Sequence, residues 1–349
     1  MDYRVIQWAT GSMGKTCLRA VIDHPDLELV GLYVYNEKKA GRDAGDIAVR
    51  NKTGVLATRS MSEILALDAD AVIHTPRIQF PYASHNEDIC RLLASGKNLV
   101  SINGHCYPAA HGQAYAAPFE KACQQGGASL FGTGLNPGFV AEKIAAAATG
   151  ACLDIDHIDI KENFDVTGVP EHDYVFNVLG FGSDPASFGL SDTGPVAELM
   201  DGMYREVVAL MAKRLFLDLE GVVSDHRVEP AAEPITARAG IIPAGTVAAT
   251  HWCWHGMVAG KRLITLRVSW VMGTRPTDGK AADHWKIMIR GRPGIDIAMN
   301  LVEPHNTGVK TKSEQYAVAA SVINSIPEVC AAPPGIYEPP LFAPFRKRF

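Results

Sequence analysis

The sequence lacks several features that mark specialised classes of protein. Its longest apolar runs, such as residues 144–148, fall far short of the roughly 20 residues of a membrane-spanning helix. No charged segment followed by an apolar stretch precedes the first strand. A basic excess is also missing, because 33 Lys and Arg face 38 Asp and Glu and the net charge is −5, which disfavours a nucleic-acid partner. The seven cysteines are scattered and odd in number, which favours reduced thiols. We therefore expect a cytoplasmic protein without membrane or nucleic-acid partners.

What is present predicts an α/β chain of two domains. The 349 residues are 47% hydrophobic, enough for about two packed cores. Over the first 135 residues short strands alternate with helices, which predicts a Rossmann fold with a doubly wound parallel sheet. After residue 150, longer strands and one helix at 194–215 predict an α+β domain with a mixed or antiparallel sheet. We expect the dinucleotide-binding domain at 1–140, joined by a C-terminal helix at 305–349, and the second domain at 141–304.

Local composition predicts where a few helices, strands and loops begin and end. Ser60, three residues before Glu63, predicts a helix start by the spacing of a capping box. Residues 221–229 predict one strand, 81–95 one helix, and 309–326 a last helix that stops at Pro327, since proline interrupts helices. The Gly-, Pro- and Asp-rich stretch 273–280 predicts a loop or hairpin end.

A glycine turn after the first strand is the clearest motif. In a dinucleotide-binding turn, Gly11 would let the backbone approach a pyrophosphate and Gly14 would let helix and strand pack closely. The pyrophosphate would lie on the helix N-terminus. Ala9 stands where that motif has its first glycine. The predicted cofactor-binding residues of this turn are Thr10, Gly11, Ser12, Met13 and Gly14.

Two other interpretations of the turn stay open. Residues 9–16 nearly fit the phosphate-binding loop of nucleoside-triphosphate hydrolases, with Lys15 reaching the phosphates. That mechanism also needs an acidic residue after a neighbouring strand to hold Mg²⁺, and residues 71–76 contain none at that end. A purely structural glycine turn is the third interpretation. The dinucleotide interpretation accounts for most of the pattern.

The end of the second strand bears on the choice of cofactor. An NAD site usually has Asp or Glu there to bind the ribose 2′-hydroxyl. Here Asn36 is neutral, and basic residues follow at Lys38, Lys39 and Arg42. We predict NADP(H), with Asn36, Lys38 and Arg42 binding the ribose 2′-phosphate. The alternative is a solvated basic loop, which Glu37 supports, and NAD(H) is the alternative cofactor.

Several segments together resemble the dihydrodipicolinate-reductase-like superfamily, and within it the branch of 2,4-diaminopentanoate dehydrogenases and native amine dehydrogenases. In chain order they are 5–14 (VIQWATGSMG), 41–46 (GRDAGD), 132–139 (GTGLNPGF), 180–182 (GFG), 324–327 (NSIP) and 332–336 (APPGI). The resemblance implies a Rossmann domain, and a second domain whose sheet helps form a homodimer. It also implies hydride transfer from a nicotinamide to a C=N or C=O carbon. In the amine dehydrogenases, a ketone and ammonia give an amine.

One segment departs from that branch. The branch has a carboxylate after the fifth strand, shortly before a Tyr-Pro pair, that handles the amine or ammonia. Here residues 101–108 (SINGHCYP) keep Tyr107 and Pro108 but contain no acidic residue. We predict His105 and Tyr107 as the catalytic residues, because an imidazole with a pKa near neutrality can donate a proton to a developing alkoxide or enolate. The alternative is a loop histidine that binds a carbonyl group.

Further candidates lie at strand ends. Thr75, Pro76 and Asn103 are predicted to contact the cofactor, although Pro76 is also a plain strand-stopping residue. Asn136 and Pro137 precede a helix, where Asn136 could bind the nicotinamide carboxamide; the alternative is an N-cap turn. The densest polar cluster, interleaved with aromatic residues, predicts a substrate pocket, and its alternative is a polar loop over a domain interface. The predicted pocket residues are Glu162, Asn163, Phe164, His172, Tyr174, Phe176 and Asn177.

His251, Cys253 and His255 alternate along one strand, so their side chains share a face. Such a set could hold zinc with a fourth ligand, but a structural strand is the commoner case and we predict no metal.

These observations predict an NAD(P)H-dependent oxidoreductase that reduces a C=N or C=O carbon of a small hydrophobic substrate, in the manner of an amine dehydrogenase. One alternative is an ammonia-independent ketone, enone or imine reductase. The other is a cofactor-bound binding or regulatory protein without catalysis, which the missing carboxylate favours.

Overall fold

The computed structural model describes residues 3–187, 195–273, 284–303 and 311–347. Two compact units divide the chain. The first comprises Met1–Gln79, Ala83–Phe139 and Val302–Pro340, and the second comprises Phe80–Tyr82, Val140–Leu301 and Leu341–Phe349. Within the described residues no helix is both long and apolar enough to span a membrane.

The strands of the described residues are β1 (Tyr3–Trp8), β2 (Leu27–Tyr33), β3 (Ala57–Thr58), β4 (Ala71–His74), β5 (Asn98–Ser101), β6 (Ser129–Gly132), β7 (Asp154–Asp165), β8 (Gly221–Ser224), β9 (Arg227–Pro230), β10 (Ile235–Ala237), β11 (Gly240–Ile242), β12 (Val247–Val258), β13 (Lys261–Val271), β14 (His284–Arg292), β15 (Ile295–Met299) and β16 (Gly335–Ile336). The α-helices are α1 (Ser12–Asp23), α2 (Ala44–Ala48), α3 (Met61–Ala66), α4 (Asn86–Ala94), α5 (Gln113–Gly126), α6 (Ala146–Ala148), α7 (Pro195–Arg214), α8 (Ser313–Ile323) and α9 (Ile326–Ala331).

The first unit is a doubly wound parallel sheet. Its strand order is β16-β6-β5-β4-β1-β2-β3, and each described pair is parallel. The order reverses beside β1, which is the topological switch point where such sheets bind dinucleotides. The Rossmann prediction is confirmed.

Alternating side chains of these strands fill two cores. Ile6, Val72 and Leu99 pack with α3, α4 and α5 on one face. Val5 and Ile73, one residue along from Ile6 and Val72, pack with α1, α8 and α9 on the other face. Helices on both faces leave the carboxyl ends of the strands, and the loops after them, as the edge where a ligand can bind.

The second unit contains a mixed sheet. Its order is β15-β14-β7-β13-β12-β8, and β9 also pairs with β12. β7 and β13 are parallel, whereas the other pairs are antiparallel. Helix α7 lies on the face that carries Trp254, since Asp201 of α7 accepts a hydrogen bond from the Trp254 indole at 2.5 Å. The predicted α+β class is confirmed.

The predicted strand 221–229 is wrong in one respect, because it is interrupted between β8 and β9. At the interruption, the ring Nδ1 of His226 accepts a hydrogen bond from the backbone N–H of Cys253 at 3.1 Å. The His226 Nε2 lies 3.0 Å from Asp201 Oδ1. A side chain therefore takes the place of a backbone partner in the ladder.

Two predicted helices also differ. The segment 81–95 begins as a 3₁₀ turn at Tyr82–His85 before α4. The last helix does not stop at Pro327, because α8 ends first and α9 then starts with Pro327 in its first turn, where a missing N–H costs little. Of the segment 305–349, the described residues 311–347 form α8, α9 and β16 rather than one continuous helix. The predicted helix start at 309 and the loop 274–280 lie outside the described residues.

Candidate functional site

The glycine turn joins β1 to α1 at the switch point of the first sheet. Ala9 adopts a left-handed backbone, with φ of 74°, at the place where the dinucleotide motif has its first glycine. A Cβ on Gly14 would lie 2.3 Å from the Ala9 carbonyl oxygen, so only glycine lets α1 approach the turn this closely. A Cβ on Gly11 would meet nothing within 4 Å. The turn therefore has the close packing of a dinucleotide loop and open space beside Gly11, where a pyrophosphate can approach.

A buried brace behind the turn holds it in place. The Nε2 of Gln7, a fully buried residue, donates to the Ala9 carbonyl at 3.0 Å and to the Thr75 hydroxyl at 2.8 Å. The Thr75 hydroxyl in turn donates to the Trp8 carbonyl at 2.9 Å. The brace satisfies the carbonyl of the strained residue, which stabilises its left-handed conformation. Sequence analysis missed Gln7, whose only signal is a polar residue in an apolar strand.

The other predicted residues of the turn lie around the start of α1. Gly11 is the N-cap of the helix, and Ser12 is its first residue and exposed. The Ser12 hydroxyl accepts a hydrogen bond from Gln315 at 2.6 Å, and Met13 is half-buried. The first-turn amides of a helix have no partners within it, so the N-terminus of α1 is a suitable site for phosphate oxygens.

Three cations surround the turn. The Lys39 ammonium donates to the Thr10 carbonyl at 2.8 Å and to the Thr10 hydroxyl at 2.9 Å. Burial lowers the pKa of Lys39, and the nearby charges of Lys15 and Arg42 lower it further. Within the described chain none of these three cations is paired with a carboxylate. Positive charge concentrated without an anion indicates a site for a phosphate.

In the basic run of residues 36–42, Lys39 is the residue that contacts the glycine turn. Asn36 accepts a hydrogen bond from the Lys38 backbone N–H at 2.9 Å and caps the 3₁₀ turn Glu37–Lys39. Lys38 is exposed, whereas Lys39 reaches the glycine turn. Sequence analysis noted Lys39 in the run but did not assign it to the site, because a run of lysines does not show which one the turn directs inward.

The loops after β4 and β5 meet at the same edge. The Asn103 amide donates to the Pro76 carbonyl at 2.8 Å, so these two predicted residues are joined. Pro76 and Asn103 are both buried. The segment 104–106 packs against β6, since a Cβ on Gly132 would lie 2.3 Å from the Cys106 backbone nitrogen.

The two predicted catalytic residues differ in exposure. The His105 side chain is 1% exposed, and its backbone φ is 63°. Its Nε2 lies 3.1 Å from Asn86 Oδ1, and its ring meets the Phe119 ring edge-on at 5.5 Å between centroids. Tyr107 is half-buried at the start of a 3₁₀ turn. The histidine therefore sits inside the unit, with hydrogen-bond partners that fix its ring.

The Asn136–Pro137 turn follows β6. Its peptide bond is cis, and Gly138 has a φ of 122°. A Cβ on Gly138 would lie 2.2 Å from the Gly134 nitrogen, so the turn doubles back on itself. Asn136 is half-buried and Pro137 buried.

The predicted pocket residues of the second unit fall into separate groups. Phe164, Tyr174 and Phe176 pack around one buried apolar cluster. Glu162 accepts a hydrogen bond from the Trp285 indole at 2.9 Å. Asn163 lies on the opposite face of β7 from Glu162, because successive strand residues alternate.

His172 and Asn177 are exposed. The His172 Nδ1 lies 2.9 Å from the Ala239 carbonyl oxygen, and the Asn177 amide donates to Asp173 at 2.8 Å. The cluster read from the sequence is thus divided between an apolar core, one carboxylate and a polar surface.

Side chains of the alternating set on β12 have partners of their own. The His251 Nδ1 lies 2.9 Å from the Ser269 hydroxyl, and the His255 Nδ1 lies 3.0 Å from the Thr265 hydroxyl. Burial lowers the pKa of both imidazoles and raises the pKa of the Cys253 thiol to about 11. No group of three metal-binding side chains occurs among the residues that the structure describes.

Comparisons with known proteins agree with the resemblance. The family profile described as dihydrodipicolinate reductase, N-terminus, matches residues 5–94. The chain is 28% identical to an amine dehydrogenase of Streptomyces virginiae, over 95% of this chain and 94% of that protein. It is 22% identical to a 2,4-diaminopentanoate dehydrogenase of Acetoanaerobium sticklandii, over 96% of this chain and 91% of that protein. The fold matches a solved amine dehydrogenase of Mycobacterium smegmatis with a TM-score of 0.78, at 20% identity, covering 97% of this chain and 95% of that one.

Proposed function

We propose that this chain, an NAD(P)-dependent oxidoreductase that resembles the amine dehydrogenase branch, uses NADP(H) to reduce a C=N or C=O carbon of a small hydrophobic substrate. The observation that carries the proposal is the glycine turn at the switch point, with strained Ala9, close-packed Gly14 and open space at Gly11. With ammonia as co-substrate, the reaction converts a ketone to an amine.

Different residues of the first unit can bind the different groups of the cofactor. The α1 N-terminus offers backbone N–H groups to the pyrophosphate. Lys39 and Arg42, at the end of the loop after β2, offer positive charge to a ribose 2′-phosphate. The bound cofactor supplies the hydride. We assign Thr75, Pro76, Asn103, Asn136 and Pro137 to positioning it, and the pocket residues of β7 and the following loop to the substrate.

NADP(H) is favoured over NAD(H) because no carboxylate occupies the ribose position. Asn36 is neutral and its amide oxygen is used to cap the following turn. Glu37 is exposed and also belongs to that turn. Burial and, after it, repulsion by Lys15 and Arg42 lower the pKa of Lys39, and a 2′-phosphate beside the three cations would relieve the repulsion.

Lys39→Gln tests the assignment of the cofactor. Removing a charge-assisted phosphate contact should raise the KM for NADPH about 10-fold, with the KM for NADH changed less than about 3-fold. The exposed neighbour Lys38 provides the matched control, and Lys38→Gln should leave both values near those of the wild type. Equal effects of the two substitutions on NADPH, or a wild type that prefers NADH, would contradict the NADP(H) assignment.

Ammonia as a co-substrate distinguishes the two candidate reactions. Residues 101–108 hold no carboxylate, and this absence favours the ammonia-independent reductase as a second candidate. Oxidation of NADPH at 340 nm, with ketones, enones and imines and with or without excess ammonium, separates the two. Turnover that requires ammonium would support the amine dehydrogenase reaction, and turnover indifferent to ammonium would support the reductase. Cofactor binding without turnover on the whole panel would favour a non-catalytic binding protein.

His105 and Tyr107 stay our candidates for the proton donor. His105→Ala should leave the KM for NADPH near normal and lower kcat by about 10²-fold, as loss of a general acid does. Because His105 is buried, the thermal unfolding of the His105→Ala protein must be measured together with kcat. Tyr107→Phe gives a second variant, at a half-buried position. An unchanged kcat in a folded His105→Ala protein would exclude His105 from the reaction.

We further propose a homodimer, as the resemblance implies, and a cytoplasmic location, which the scattered and odd-numbered cysteines favour. Size-exclusion chromatography with light scattering would test the dimer directly.

A further inference from the structure

The loop after β2 is held by one carboxylate. Asp43 is a buried acid, and its Oδ1 accepts hydrogen bonds from the Gly45 backbone N–H at 2.7 Å and the Thr53 N–H at 3.1 Å. Its Oδ2 accepts from the Gly54 N–H at 2.8 Å. One side chain thus caps helix α2 and also joins the start of the loop to a turn ten residues further on.

These hydrogen bonds have an electrostatic signature. The backbone N–H of Thr53 lowers the pKa of Asp43 most strongly, burial opposes this, and the N–H groups of Gly45 and Gly54 lower the pKa further. The carboxylate is therefore ionised at neutral pH. A neutral amide at the same place would lose charge-assisted bonds and would direct an N–H group toward a donor.

The same loop carries the cations of the phosphate site. Arg42 immediately precedes Asp43, and two hydrogen bonds fix its backbone. The Arg42 N–H donates to the Lys39 carbonyl at 3.2 Å, and the Arg42 carbonyl accepts from the Ala57 N–H at 2.9 Å. The Ala44 N–H donates to the Val55 carbonyl at 2.8 Å. The segment from Lys39 to Ala44 is therefore fastened along 55–57, and Asp43 fastens it to 53–54.

Glycine at position 45 is required by this arrangement. A Cβ there would lie 2.0 Å from the Asn51 carbonyl oxygen and 3.0 Å from Asp43 Oδ1. The motif of residues 41–46 is thereby explained as a structural clasp: Asp43 binds the turn, and Gly45 lets the chain close over it.

We propose that Asp43 is a positioning residue that sets the selectivity of the enzyme for the 2′-phosphorylated cofactor, by holding Arg42 and Lys39 where the phosphate binds. The inference rests on the proposed function, since it needs the NADP(H) assignment. Asp43 does not contact the phosphate in this account. It acts against its own charge, because a carboxylate near a phosphate is repulsive and only its effect on the loop can favour binding.

The charge of Asp43 disfavours phosphate binding while its effect on the loop favours it, and this difference can be tested. Asp43→Asn and Asp46→Asn remove the same charge at positions three residues apart, but Asp46 lies within α2 and is exposed. If charge alone mattered, both variants would bind a phosphate more tightly. If Asp43 positions the cations, Asp43→Asn should bind 2′,5′-ADP about 10-fold more weakly, the loss that one or two misplaced charged contacts cause. Asp46→Asn should bind it as tightly as the wild type or slightly better.

Calorimetric titration with 2′,5′-ADP and with 5′-AMP gives the readout without turnover. The expected result is a fall in the ratio of the two affinities for Asp43→Asn, with 5′-AMP binding nearly constant. A parallel fall in the ratio of kcat/KM for NADPH to that for NADH should follow. Asp43→Ser keeps an N-cap oxygen for α2 but is too short for the turn at 53–54, so it should lose selectivity while remaining folded.

The outcomes separate this inference from the proposed function. A wild type that binds 5′-AMP as tightly as 2′,5′-ADP would overturn the NADP(H) assignment itself. A selective wild type with an unchanged affinity ratio in Asp43→Asn and Asp43→Ser would overturn the positioning role alone. Equal loss of affinity for both nucleotides would also overturn it, because a general collapse of the site would then explain the effect.

Discussion

At the scale of single residues, the turn after β1 shows how a motif can keep its geometry when one of its glycines is replaced. Ala9 holds the left-handed φ that the first glycine would supply, at a cost of roughly 1–2 kcal/mol for a residue with a Cβ. The Gln7 amide binds its carbonyl from the buried side. The third glycine has no such substitute, because at Gly14 the obstacle is contact rather than backbone conformation.

Gly14→Ala and Gly11→Ala should therefore fail in different ways. The added methyl group at Gly14 meets the Ala9 carbonyl and the Thr75 hydroxyl, and we expect a loss of roughly 1–3 kcal/mol of stability, as overpacking causes. At Gly11 the methyl group meets no protein atom within 4 Å, so the unfolding temperature should stay near that of the wild type. NADPH affinity should nevertheless fall, because the methyl group occupies the space for the pyrophosphate. Thermal unfolding and NADPH titration of both variants check this, and a stable Gly14→Ala protein would contradict it.

At the scale of elements, local signals located most of the fold. Ser60 caps α3 by accepting the Glu63 N–H at 3.2 Å, as the spacing predicts. Local sequence signals did not predict the bounds of an element where a residue distant in the chain determines them. The interruption between β8 and β9 depends on the Cys253 N–H and on Asp201, which lie 27 and 25 residues from His226.

Asp201 connects helix α7 to the sheet of the second unit. Its Oδ1 accepts hydrogen bonds from the Ser224 hydroxyl at 2.8 Å, the His226 ring at 3.0 Å and the Trp254 indole at 2.5 Å. Burial tends to raise the pKa of Asp201, but these hydrogen bonds outweigh it and lower the pKa below its usual value. Three donors, from β8, from β12 and from the link between β8 and β9, thus converge on one carboxylate.

Asp201→Asn should lower the stability of the second unit by roughly 1–3 kcal/mol, because an amide leaves buried donors unmatched. The sign of the pH dependence follows from the lowered pKa. The contribution of Asp201 is present above about pH 4, the ordinary carboxyl pKa, and is lost as the pH falls through the folded value below it. The gap in unfolding temperature between wild type and Asp201→Asn should therefore be full at pH 7 and shrink in acid. A gap that widens toward low pH would refute this account.

At the scale of the whole molecule, the sequence was sufficient for the class of each unit and for the cofactor turn, but not for the contacts that complete the site. Lys39 contacts Thr10, 29 residues away along the chain. Asp43 binds the backbone of Thr53, ten residues away. Alternation along β7 puts Glu162 and Asn163 of the predicted pocket on opposite faces of the sheet. Residue spacing therefore predicts contacts within one helix or strand more reliably than contacts between different elements.

The short strand β16 has a consequence for solubility. It covers the outer side of β6, where the Tyr337 N–H donates to the Leu130 carbonyl at 2.7 Å and the Tyr337 ring meets the Phe131 ring at 5.5 Å. A bare edge strand is a template for pairing with another chain and so for aggregation. Tyr337→Pro removes the donor, whereas Tyr337→Phe keeps both donor and ring. Under mild heating, light scattering should rise faster for the proline variant than for the phenylalanine variant. Equal rates would mean that β16 does not protect the edge of β6 from pairing with another chain. If they do, the last strand of the chain protects the folded protein from its own copies.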